Sequence, residues 1–166
     1  MQEHNGQASG FMEKSLQYLI PGYKGYLGAR DIAEDDARIR EHIVSGVNEM
    51  ISKIDIKKLS YTASLQTASA LAALEKISSR LKHVAETIRY AGGSMPSFDY
   101  SSFSAEKCSK LKAYDEFLYF SMQEIKIVIS GVEKAEDTPE FEKIGRAAAE
   151  WSEKYLAQFR ARKDIL

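Results

Sequence analysis

Apolar side chains recur every three or four residues along most of this chain. Between 111 and 132 the run Leu111, Tyr114, Leu118, Ser121, Ile125, Val128, Val132 steps by three and four without a gap. That is the heptad spacing of a helix buried along one stripe against other helices. Upstream, Ile32, Ile39, Ile43, Val47, Met50 and Ile54 form a second stripe, and Ala70, Leu74, Ile77, Leu81, Val84 and Ile88 a third. Phe141, Ile144, Ala148, Trp151, Tyr155 and Phe159 form a fourth. No segment shows the strict alternation of a strand.

Polar punctuation sets the ends of these stripes. Met1 to Gly10 has almost nothing to bury and reads as a flexible tail. Met12, Leu16 and Leu19 mark a short amphipathic helix that Pro21-Gly22 stops. Tyr23-Lys24-Gly25-Tyr26-Leu27-Gly28 follows as a loop. The first long helix starts near Ala29 or Asp31, with Asp31, Glu34, Asp35 and Asp36 at the positive end of its dipole and Lys57 and Lys58 at the negative end. A break is expected between Asp55 and Ser60, because an uninterrupted helix would run about 90 Å at 1.5 Å per residue. The second helix is expected over Ser60 to Ala91, ended by Gly92-Gly93. Ser104 caps the third, which ends near Gly131 to Lys134. Asp137-Thr138-Pro139-Glu140 opens the fourth, and Arg160, Arg162 and Lys163 in its last turn match the dipole.

These elements predict an all-α fold: an antiparallel up-down-up-down four-helix bundle over 29–166, with the short helix and glycine/tyrosine loop of 11–28 at one end. A chain of 166 residues suits one domain and buries about 70% of its unfolded surface without staples. Lys plus Arg number 23 against 24 Asp plus Glu, so the net charge of −1 gives no bulk attraction to nucleic acid. The single cysteine, Cys108, forms no internal disulfide. With no signal segment and no run of eighteen apolar residues, the expected location is the cytoplasm.

Candidate chemistry is sparse. A di-metal carboxylate bundle needs Glu-x-x-His on two helices. Here Ile39 stands three residues before His42 and Arg80 three before His83, so no metal or other cofactor is expected. Cys108, between Lys107 and Lys110, has no sequence-near histidine and reads as a small packed side chain. Gly22, Gly25 and Gly28 lack the spacing of a dinucleotide loop. They permit either a tight reversal or, with Lys24 and Arg30, an anion site at the next helix start. Asp115 lies near a buried seam and wants a partner, with Arg80 and Arg89 the candidates for a structural ion pair. No catalytic residue is assigned.

The aromatic loops give the candidate contact surface. Tyr23, Lys24, Tyr26 and Arg30 on one loop, and Phe98, Tyr100 and Phe103 on another, should share one end of the bundle. They are either a lid over the core or a partner-binding patch. Phe117, Phe120, Ile127 and Ile129 form a second apolar face on the third helix, which fits a homodimer. The expected function is a non-enzymatic interaction or scaffold protein acting through protein-protein contacts, its partner unnamed. One alternative is a peripheral membrane adaptor using Phe11, Met12, Leu16, Leu19 and Ile20 with Lys14 and Lys24. The other is a small-ligand binder with a pocket between helices, which a lining of Arg80, Asp115 and a tyrosine would support.

Leu19-Ile20-Pro21-Gly22-Tyr23-Lys24-Gly25-Tyr26, followed by a charged helix, resembles the opening of an uncharacterised group of prokaryotic all-helical proteins. Arg89-Tyr90-Ala91-Gly92 and Tyr114-Asp115 are similar in kind. The resemblance implies an all-helical fold and carries no activity.

Overall fold

A computed structural model of the chain describes residues 16–27, 31–61, 67–91 and 104–166. It is all-helical, with no strand among the described residues. Four long helices carry it: α1 (Asp31–Leu59), α2 (Ala68–Tyr90), α3 (Ala105–Ser130) and α4 (Thr138–Lys163). A 3₁₀ turn, Gly131–Glu133, extends α3, and residues 16–19 form a helical turn ahead of the glycine loop. The main packing pairs are α1 with α2 and α3, and α4 with α2 and α3. The helices therefore close a ring in the order α1, α2, α4, α3.

The stripes on α1 and α2 are buried as expected, with Ile39, Ile43, Val47, Leu74, Leu81 and Val84 at 0% exposure. Each such aliphatic side chain contributes about 1.5–3 kcal/mol of burial. The predicted caps also form. Ser104 accepts a hydrogen bond from the Lys107 backbone N–H, and Asp137 accepts one from that of Glu140. The Glu140 carboxylate reaches back to the Glu136 N–H, so both ends of that first turn are satisfied.

Two expectations need correction. The second helix begins at Ala68, not near Ser60. Instead Ser60 closes α1, its hydroxyl donating to the Lys57 carbonyl at 2.6 Å, and such side-chain bonding competes with helix continuation. The seam on α3 is rotated. The buried stripe reads Leu111, Asp115, Leu118, Met122, Ile125 and Ile129, followed by Val132, with Tyr119 buried beside it. Every second member of the expected run moves by one position. Val128 is 39% exposed, whereas Ile129 is fully buried. The cause is a carboxylate at a core position, where hydrophobic periodicity cannot see it. Ser121 lies on the flank facing α4, where its Oγ and carbonyl oxygen both accept from the Trp151 indole N–H, at 3.0 and 3.1 Å.

Candidate functional site

Two features stand out: a buried polar cluster beneath the glycine loop, and the outward face of α3. The loop reverses at Gly22 (φ +79°) and Gly25 (φ +76°), a region open to glycine. Tyr26 follows at φ +59°, a conformation that costs a non-glycine residue about 1–2 kcal/mol. The loop is held there by Asp35 in the first turns of α1. One Asp35 oxygen accepts from the Lys24 backbone N–H at 2.8 Å, the other from that of Tyr26 at 2.7 Å. Successive N–H groups in such a turn form an anion-binding concavity. This chain fills it with its own carboxylate. Those loop N–H groups are therefore occupied, whereas the anion site expected at the following helix start involves Arg30, which lies outside the described residues. Lys24 is exposed, and its Nζ lies 2.6 Å from Asp31 and 3.8 Å from Glu34.

Both tyrosines turn inward, each 4% exposed. Their hydroxyls donate to the same oxygen of Asp115, at 2.9 Å from Tyr23 and 2.6 Å from Tyr26. The other Asp115 oxygen accepts from Arg162 Nε at 2.5 Å. A second guanidinium nitrogen of Arg162 donates to Asp36 at 2.5 Å and a third to the Tyr26 hydroxyl at 2.8 Å. Asp36 is shared with Arg40 at 2.8 Å. The loop, α1, α3 and α4 thus meet at one guanidinium.

Asp36, Asp115 and Arg162 are at most 1% exposed, so their charges are affordable only because each is paired. Burial pushes the Asp115 carboxyl above the usual carboxylate range, opposed by Arg162 and the two hydroxyls. Burial, reinforced by Asp115, drives both tyrosines far above an ordinary phenol. Against the opposing effect of burial, Asp115, Tyr26 and Asp36 hold Arg162 firmly protonated. Each Asp115 oxygen and each guanidinium nitrogen is spent within the cluster, which makes it a clamp joining the loop to the bundle.

Several expectations are revised here. Tyr23 and Tyr26 are lid residues rather than an exposed binding patch, because their hydroxyls are needed inside. Asp115 pairs with Arg162, not Arg80 or Arg89. The Arg80 side chain is 49% exposed and sits 4.0 Å from Glu153, apart from the fully buried Asp115. Of the described residues on which membrane insertion leaned, Leu16 and Ile20 are buried and Leu19 is 43% exposed. Arg30, Phe98, Tyr100 and Phe103 lie outside the described residues, as do Phe11, Met12, Lys14 and the tail of 1–10. Cys108 is half-buried against the core. Among the described residues no group of three or more His, Cys, Asp or Glu is placed to hold a metal, and no helix is long and apolar enough to cross a membrane.

Arg162 was missed for a physical reason. A basic residue in a last turn already has an explanation in the helix dipole, so nothing marked it as internal. The available signal was its register: it stands three residues after Phe159, on the stripe itself.

The outward face of α3 carries Phe117 (44% exposed), Phe120 (40%), Ile127 (75%) and Val128 (39%). At 100° per residue these side chains fall on one half of the helix, opposite the core stripe. Glu124 lies among them. Comparison with known proteins returns no matching family model, curated protein or solved structure.

Proposed function

We propose that this chain is a helical interaction module, an up-down-up-down bundle that acts through protein-protein contacts made by the outer face of α3. The observation that carries this reading is the set of four large apolar side chains, 39–75% exposed, on one face of one helix. Water-exposed apolar surface of that kind marks a contact site when it is contiguous. Aromatic residues, which supply two of the four, are enriched in protein interfaces. The loop tyrosines are engaged inside the fold, which moves the contact surface from the bundle end to its side. The short connections after α1 and α3 support antiparallel neighbours.

A photo-crosslinking side chain placed at Ile127 tests this in the cells that make the protein. A discrete protein adduct is expected at position 127, lost when Phe120→Glu is added, and absent when the same group replaces the exposed Lys154 on α4. Equal labelling from positions 127 and 154, or none from 127, overturns the reading.

A further inference from the structure

The α2–α4 seam has the complementary shape. Between these helices runs a groove of about 460 Å³, floored by Ala73, Gly145, Ala149 and Phe141. Lys76 and Arg80 stand along its α2 side and Arg146 and Glu142 along its α4 side. Three cations against one carboxylate leave a net charge of +2 on its walls. Among the described residues no carboxylate pairs with Lys76 or Arg146, and Arg80 meets Glu153 only at 4.0 Å. The α3 face presents a single unpaired carboxylate. Between Phe117 and Val128 its one basic residue, Lys126, is tied to Glu49 at 2.6 Å, whereas Glu124 has no ion pair among the described residues. The lengths also match. Phe117 to Val128 and Ser69 to Arg80 each cover eleven residue steps, about 16 Å of helix. The small side chains at Ala73, Gly145 and Ala149 let a helix approach closely, and bulky residues on the facing helix fill the space.

We infer that the occupant of this groove is a second copy of the chain, which seats its α3 ridge between α2 and α4 with Glu124 among Lys76, Arg80 and Arg146. This rests on the α3 face being the contact surface and adds what it contacts. Ridge and groove are different surfaces, because α3 packs on α1 and α4 and lies across the ring from α2. The contact is therefore heterologous, and copies add head to tail. Pairing α3 with α3 about a two-fold axis would leave Glu124 facing a surface whose one lysine, Lys126, is already tied to Glu49.

Complementation tests the inference. One variant, Phe120→Glu/Ile127→Glu, spoils the ridge and keeps the groove. Another, Lys76→Glu/Arg146→Glu, spoils the groove and keeps the ridge. All four positions are exposed or nearly so, and unchanged melting curves and helical spectra establish that both variants fold. At high micromolar concentration the unaltered chain should scatter light as species larger than one copy. Each variant alone should run as a monomer, and an equal mixture should give a two-copy species and nothing larger. A monomeric unaltered chain overturns the inference, as does a mixture that stays monomeric. If position 127 then crosslinks to a different protein, the α3 face remains the contact surface and only the self-assembly is wrong.

Discussion

Replacing Arg162 with methionine tests whether the buried cluster is a clamp. The substitution keeps much of the aliphatic length and removes three hydrogen bonds, to Asp115, Asp36 and Tyr26. Asp36 retains Arg40. Asp115, at 0% exposure, retains two tyrosine hydroxyls but loses the one counter-charge it has among the described residues. Breaking a buried pair by removing one partner costs about 3–5 kcal/mol. The upper end is reached only if Asp115 stays ionised, and proton uptake limits the loss. For a chain of this size each kcal/mol moves the melting temperature by about 2–4 °C, so Tm should fall by about 6–20 °C. A carboxyl whose pKa is raised in the folded state favours folding at low pH and loses that contribution as pH rises through the folded value. The deficit of Arg162→Met should therefore be smaller at about pH 5 than at about pH 8. Adding Asp115→Asn keeps an acceptor for the tyrosines and removes the stranded charge, which should restore about 2 kcal/mol. Urea titration of the two variants measures both values, and hydrogen exchange at the Lys24 and Tyr26 amides reports whether the loop has loosened. A loss below about 1 kcal/mol for Arg162→Met, or a double variant no more stable than the single, would refute the clamp.

Further expectations concern the rest of the molecule. Tyr23, Tyr26 and Tyr155 have raised pKa values through burial and the nearby Asp115. Their contribution is full below the unfolded value near 10 and lost as pH climbs above it; ultraviolet titration should show them ionising only with loss of helix, and smooth ionisation of all nine tyrosines in a folded chain would contradict this. His42 stacks on Tyr119 at 5.4 Å, and burial, aided by Lys126, lowers its pKa. Its contribution is present above the unfolded value of about 6.5 and shrinks as pH falls through that value to the lower folded one, so His42→Gln should flatten the stability profile there, and an unchanged slope would count against it. Gly22→Ala meets both a φ of +79° and Arg38 at 2.6 Å. It should cost about 1–2 kcal/mol in urea titration, and a neutral result would mean the reversal is not held. Leu118→Asp removes about 2 kcal/mol of burial and inserts an unpaired charge; a folded circular-dichroism spectrum at room temperature would be inconsistent with its place in the core.

How far the pattern could be read differed along the chain. The stripes of α1 and α2 were legible because every member is apolar and every member is buried. The caps at Ser104 and Asp137 were legible because capping needs only a short side chain beside free N–H groups. On α3 the same reading turned the seam by one residue at alternate positions. It treated Asp115 as an edge residue, although the aspartate occupies the centre. The tyrosines offered two roles, lid or patch, and sequence spacing cannot choose between them. Their hydroxyls find Asp115 and Arg162 at separations of 89 to 136 residues.

The sequence alone determined that this chain forms amphipathic helices and where most of them begin and end, because periodicity and capping act within a few residues. Only the tertiary structure decided which charges lie inside. A buried ion pair is stable only when partners from distant helices arrive together, and no local pattern records that meeting. The same holds for the exposed face of α3. An apolar residue off the main stripe is covered or left in water according to where the neighbouring helices stand, and here α1 and α4 leave Phe120 and Ile127 outside.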